Sequence, residues 1–228
     1  MSNMEVTYID HFGTDLSVVN AARVSFSKRH EEFKDKKDTS LIRFLYREKH
    51  FMPFTHTGIT LHVKAPIFVA RQLAKHEIGF MWSESSRRYV DERPSFFHPK
   101  TWRARAENVK QGSDANKVIN SGVFVGVAGE KYRGNVTNEV LAFYERAEQL
   151  YYDLLENGVC PEQARIILPQ SMMTEWIWTG NLAAFGRMYE LRADSHTQLE
   201  TQEIAKKVSE IIRPLYPVSW ASITETLL

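Results

Sequence analysis

The sequence predicts an α+β fold, with long helices packed against a small, mostly antiparallel sheet. Three observations carry that expectation. Several stretches repeat apolar residues at helical spacing, a few short ones alternate apolar with polar residues, and no internal repeat or low-complexity linker interrupts the 228 residues. One domain spanning residues 1–228 is therefore expected.

The elements follow in order. TSLIRFLYREKH (39–50) has helical spacing, with Thr39 or Ser40 as its cap. GITLHVKA (58–65) alternates as a strand does. Pro66 suits the first position of a helix, PIFVARQLAKHEIG, that Gly79 can end. VTNEVLAFYERAEQLYYDLLENG (136–158) carries a helical stripe of Val140, Phe143, Ala147, Leu150 and Leu154, closed by Asn157-Gly158. Pro161 starts a short helix, SMMTEWIWTG (171–180) reads as a strand, and Asn181 caps the helix after it. Ser195 with Gln198 has capping-box spacing for the last helix.

Composition narrows the function classes. With 43% hydrophobic and 25% charged residues, the chain reads as a soluble globular protein. Its net charge of +1 argues against a general nucleic-acid coat, so any anion binding is local. The single cysteine, Cys160, permits no internal disulfide and fits a reducing compartment. The histidines lack close-paired metal spacing and there is no CxxC, so no metal site is expected. MSNMEVTYIDHFG is too polar for a signal peptide and no apolar run reaches membrane-spanning length. A cytoplasmic location, without membrane or nucleic-acid partners, is the expectation.

Two stretches carry chemistry. In the helix from Pro66, at about 100° per residue, Arg71, Gln72, Lys75 and His76 fall within an arc of roughly 140°. That arc is either a solvent face or an anion site. In WSESSRRYVD (82–91), an extended backbone would point Glu84, Ser86 and Arg88 to one side. A hydroxyl and a guanidinium so placed can hold a phosphate, and the carboxylate can accept from a sugar hydroxyl or a ring N–H. One anion, one sugar and one ring make a nucleotide. Arg165 lies in the first turns after Pro161, where backbone N–H groups also favour anions, and Arg192 ends the helix capped by Asn181. No GxxxxGK[ST], GxGxxG or GxSxG appears, and GVFVGVAG (122–129) lacks the dinucleotide spacing. Cys160, just before Pro161 and without a histidine nearby in sequence, reads as structural.

ARQLAKHEIGFMWSESSRRY (70–89) resembles the signature of the flavin-dependent thymidylate synthases, an Arg-His-Arg triplet followed by a Ser and then x-Arg-Tyr. AARVSFS (21–27), PFTHTGITLHVKAPIFVARQ (53–72), ARIILP (164–169) and NLAAFGRMYELRADSHTQ (181–198) extend the similarity in the same order, over about residues 8 to 215. The resemblance implies a homotetramer with FAD and active sites built across subunit interfaces. It implies reductive methylation of dUMP to dTMP, with methylenetetrahydrofolate as carbon donor and NADPH reducing the flavin.

Carried onto this chain, the resemblance implies dUMP contacts at Gln72, Glu84, Ser86, Arg88, Arg165 and Arg192, with Arg192 polarising the uracil ring. It implies FAD contacts at Ser25, His50, Lys75, His76, Asn181 and Arg187. The chain departs from the family pattern at several positions. The triplet reads Lys75-His76-Glu77, and the spacing from Glu77 to Ser86 is one residue longer than usual. Ser83 stands where Asn is usual, Met52 replaces a polar residue, and Ala183 and Arg187 replace Arg and Asn. The competing expectation is a non-catalytic nucleotide- or RNA-binding protein in which Trp82 and Tyr89 stack on bases.

Overall fold

Alternation in GITLHVKA does produce a strand, and its inward side chains form part of the core. In a computed structural model of the chain, which describes residues 3–89, 92–107 and 112–224, that strand is Gly58–Pro66. Met1 and Ser2 of the N-terminal stretch, and Val90 and Asp91 of WSESSRRYVD, lie outside the described residues. Among the described residues the elements run β1 (Glu5–Phe12), α1 (Asp15–Arg23), α2 (Asp35–Arg47), β2 (Gly58–Pro66), α3 (Ile67–Leu73), β3 (Phe80–Glu84), β4 (Arg103–Arg105), β5 (Ser113–Val118), β6 (Ser121–Val125), β7 (Lys131–Asn135), α4 (Val136–Glu156), α5 (Pro161–Ala164), β8 (Met173–Gly180), α6 (Leu182–Arg192), α7 (Leu199–Leu215) and α8 (Pro217–Thr224). The chain forms two compact units, each drawn from separated stretches. One comprises Met4–Lys64, Val69–Glu84 and the chain from Glu175; the other comprises Ala65–Phe68 and Ser85–Thr174 with Asn3.

In the first unit, the sheet has the order β1-β2-β8-β3. β1 pairs antiparallel with β2, from Glu5 opposite Lys64 to Phe12 opposite Gly58, and β3 pairs antiparallel with β8, Trp82 opposite Trp178. Period-two patterning fixes the inward face. Ile59, Leu61, Val63, Trp176 and Trp178 are buried, whereas Glu175 and Ile177 between and beside the tryptophans are exposed. α7, whose Ile204, Val208 and Ile212 are fully buried, packs on β1, α6 and α8. α6 and α8 approach closely because Gly186 has no side chain: a Cβ there would sit 3.1 Å from Ile223 Cγ2.

Two buried carboxylates tie this unit together. Asp15 accepts from the backbone N–H groups of Val218 (2.8 Å) and Ser219 (2.9 Å), so a residue of α1 caps the start of α8. Asp38, fully buried, meets Arg23 at 2.8 Å, His30 Nδ1 at 3.0 Å and the Lys34 N–H at 2.7 Å.

In the second unit, Phe96, Tyr144 and Met172 form a core cluster on which Ile67, Val140 and Leu168 pack. Phe96 stacks on Tyr144 with centroids 4.8 Å apart. β4 pairs with β5 and β6 with β7, both antiparallel, and α4 packs against β7 and α5.

Several expected boundaries move. α2 begins at Asp35, not at Thr39 or Ser40, because the Asp38 cluster lies in its first turns; Ser40 instead donates to the Lys36 carbonyl inside the helix. α4 matches its expected span, but the stripe is rotated: Tyr144 and Tyr151 are buried beside Ala147, while Phe143 is 55% exposed. α7 starts at Leu199 without a side-chain cap, and Asp194, not Ser195, makes the local turn by accepting from the His196 N–H at 2.8 Å. The helix from Pro66 is the largest revision. Pro66 ends β2, and α3 stops at Leu73. Beyond it the chain turns through Lys75–Ile78 to Gly79, whose φ of +80° suits glycine.

Candidate active site

Stopping α3 at Leu73 removes Lys75 and His76 from the predicted helical arc and places them on a loop beside α6. Asn181 sets where α6 begins, its Oδ1 accepting from the Ala184 N–H at 2.9 Å. Two arginines of α6 then reach the loop. Arg187 Nη2 donates to the Ile78 carbonyl at 2.8 Å. Arg192 Nε donates to His76 Nε2 at 2.9 Å, and its Nη2 to the Gln72 carbonyl at 3.3 Å. These contacts explain the short α3: they take up loop groups that a continued helix would have turned elsewhere. They also exceed the helix-end role that the macrodipole alone gives Arg192. Burial, with the Arg192 and Arg187 guanidiniums beside it, holds the His76 imidazole down at about 4. At neutral pH the ring is uncharged, as an acceptor of an Arg N–H must be.

Gln72 is locked by α7 and its lead-in. Its Nε2 donates to Gln198 Oε1 at 2.6 Å and its Oε1 accepts from Thr201 at 3.2 Å. Lys75, Arg187, Ser25 and His50 all have exposed side chains. An ammonium, a guanidinium, a hydroxyl and an imidazole suit a diphosphate-bearing cofactor, with Glu77 the one opposing charge on the loop. Ser25 lies between Val24 and Phe26, 70% and 75% exposed, and His50 precedes Phe51 and the 71% exposed Met52. In this unit Glu84 ends β3 and accepts from Trp82 Nε1 at 3.0 Å. Trp82 itself stacks on Trp176, centroids 4.3 Å apart, so one ring face is already occupied.

In the other unit, the strand geometry expected for Ser86 and Arg88 is overturned. β3 ends at Glu84, and residues 87–89 form a turn in which the Tyr89 N–H bonds to the Ser86 carbonyl at 3.0 Å. The turn still brings hydroxyl and guanidinium together: Arg88 Nε donates to Ser86 Oγ at 3.2 Å. The Arg88 guanidinium also lies 4.9 Å from the Tyr89 ring centroid. Arg87 instead donates to the Glu92 carbonyl, and Arg93 grips Glu148 of α4 with two bonds, one of them Nη2 to Oε2 at 3.1 Å. Arg165 is also placed differently from expectation. α5 is four residues long, its Gln163 and Ala164 N–H groups bond to the Cys160 carbonyl, and Arg165 Nε reaches the Glu162 carbonyl at 3.4 Å. No run of N–H groups is left there to help it bind an anion.

The structure thus brings together Gln72, His76 and Arg192, and separately Ser86 and Arg88. Sequence reasoning missed the His76–Arg192 contact, the Gln198 and Thr201 partners of Gln72, and the Arg93–Glu148 grip. Only contacts across long sequence separations reveal them. The Cys160 thiol is exposed. Among the described residues, no group of three His, Cys, Asp or Glu could hold a metal ion, and no helix is long and apolar enough to cross a membrane.

The near-neutral chain thus carries local cationic groups, among them a hydroxyl and a guanidinium paired in the way that suits a phosphate. The family model described as thymidylate synthase complementing protein matches residues 7–218. The flavin-dependent thymidylate synthase of Thermotoga neapolitana is 38% identical over 213 residues, 93% of this chain and 87% of the relative. That of Thermosipho africanus is 37% identical over 209 residues, 92% of this chain and 86% of the relative. The UMP/dUMP methylase PolB from Streptomyces cacaoi, solved with 5-Br dUMP, is similar with a TM-score of 0.81 and 29% identity, covering 98% of this chain and 96% of that one. This chain belongs to the flavin-dependent thymidylate synthase family.

Proposed function

We propose that this protein converts dUMP to dTMP by reductive methylation, taking the carbon from methylenetetrahydrofolate and reducing equivalents from NADPH through FAD. The observation that carries the reading is the Ser86–Arg88 pair, a hydroxyl and a guanidinium joined in the way that suits a phosphate, in a chain that belongs to a family of thymidylate synthases. Ser86 and Arg88 hold the dUMP phosphate, with Arg165 as a further cation. Glu84 accepts from the sugar or from the ring N–H, and Gln72 orients the base. Arg192 faces the uracil carbonyl and stabilises the negative charge that grows there during attack from C5. FAD, once reduced, supplies the hydride chemistry that no side chain can. Lys75 and Arg187 meet its diphosphate, and Ser25, His50, His76 and Asn181 complete its contacts.

In this reading residues 1–228 act as one catalytic domain in a cytoplasmic homotetramer, with active sites shared between subunits. The exposed Val24, Phe26 and Met52 beside Ser25 and His50 support coverage of that surface by cofactor or by a second subunit. The stacking of Trp82 on Trp176 and the net charge of +1 weigh against the RNA-binding alternative. Purified protein should be yellow and should bleach with NADPH under anaerobic conditions. Colourless protein that retains RNA and takes up no FAD would sink the reading.

Two variants follow from it. Cys160→Ala should leave dTMP formation nearly unchanged, because the exposed thiol sits outside the proposed chemistry. Total loss of activity in a folded, FAD-loaded variant would contradict that. Lys75→Ala should lower FAD occupancy at limiting FAD while the circular dichroism and melting temperature stay put. Unchanged affinity would remove Lys75 from the cofactor site.

A further inference from the structure

We propose that His76 is a positioning residue for Arg192, its Nε2 lone pair fixing the guanidinium in the orientation that faces the pyrimidine. The inference rests on the dUMP reading above, and it adds a role that the flavin contact does not contain. Arg192 ends α6, where its side chain could have turned back onto the last carbonyls of its own helix. Instead it crosses to a loop far away in sequence, giving its Nε–H to His76 and an Nη2 hydrogen to the Gln72 carbonyl. A guanidinium carries five N–H donors in a rigid plane, so two anchors on one edge fix where the remaining donors point. The Gln72 carbonyl accepts the weaker bond, at 3.3 Å, which leaves His76 as the main anchor.

Only one form of the ring can do this. The imidazole must present a bare Nε2 and carry its proton on Nδ1. Burial and two nearby guanidiniums favour that uncharged form, and Arg187 holds the same loop at the Ile78 carbonyl two residues on. The loop is therefore fastened from α6 at two points, one of them through the side chain that sets Arg192. Catalysis depends on such placement, since a misplacement of about 1 Å can cost on the order of a hundredfold.

The test compares His76→Ala with His76→Gln in FAD-loaded enzyme, together with imidazole nitrogen NMR of the ligand-free protein. The His76 ring signal, assigned by its loss in the variants, should show a neutral ring with unprotonated Nε2. Replacing Arg192 by leucine should shift that signal and raise the pH at which the ring titrates. With flavin content held equal by absorption, His76→Ala should lower kcat about tenfold or more. Glutamine, which keeps an acceptor, should restore most of that loss. A ring signal indifferent to Arg192→Leu overturns the inference whatever the activity. Equal kcat losses in both variants at equal flavin content overturn it as well. If the wild-type enzyme makes no dTMP, the underlying dUMP reading fails and takes the positioning role with it, a result distinct from either of those.

Discussion

Replacing Arg88 by alanine should weaken dUMP binding roughly 30-fold or more. The change removes a charge-assisted partner and leaves a phosphate dianion poorly compensated, a loss on the order of 2–5 kcal/mol. At about 1.4 kcal/mol per tenfold, the lower end of that range already gives the stated factor. The neighbouring arginine provides the internal control. Arg87 is spent on the Glu92 carbonyl and is partly buried, whereas Arg88 is exposed and joined to the Ser86 hydroxyl. Arg87→Ala should therefore cost dUMP affinity much less. Titration of both variants with dUMP, followed by the flavin spectrum, measures the difference. Equal losses would mean that the turn does not assign the two cations different tasks, and no loss from Arg88→Ala would make the stretch an ordinary solvated turn.

The second large effect is on stability. Asp38→Ala should destabilise the protein by roughly 3–5 kcal/mol, because it strips a buried carboxylate from Arg23, His30 and the Lys34 N–H together. For a chain of this size that corresponds to a fall in melting temperature of about 6–20 °C. The same cluster predicts a pH dependence. Burial pushes the Asp38 carboxyl up, but the Lys34 N–H, Arg23 and His30 outweigh it and leave the group below its ordinary value of 3.8. A carboxylate depressed in the folded state adds stability above its unfolded value, and that stability is lost as the pH falls below it. Wild type and Asp38→Ala should thus converge in stability below about pH 4. A melting temperature difference that stays constant as the pH falls below that value would show that the lost contribution is packing, not charge.

How legible the molecule was in its sequence depends on the reach of the forces involved. Strand β2 was readable because alternation alone determines which of its residues are buried, and α4 because its period and its Asn157-Gly158 ending are local. The start of α2 and the end of α3 were not, since Asp38 and the Arg187 and Arg192 contacts override propensity from across the chain. The site divides in the same way. Residue types at Glu84, Ser86 and Arg88 suggested a nucleotide, motif order pointed to the family, and only that resemblance gave Arg192 a role at the uracil ring. The extended geometry expected for residues 84–88 was wrong because a turn after Glu84 replaces strand alternation. The partner of Arg192 was beyond reach, because nothing local in NLAAFGRMYELR names a histidine on another element.

The central claim is dUMP methylation by a flavin route, and product analysis tests it most directly. FAD-loaded protein given dUMP, methylenetetrahydrofolate and NADPH should form dTMP in proportion to NADPH oxidised, and should form none when FAD or the folate is left out. NADPH oxidation with dUMP recovered unchanged, across enzyme preparations of full flavin content, would contradict the account.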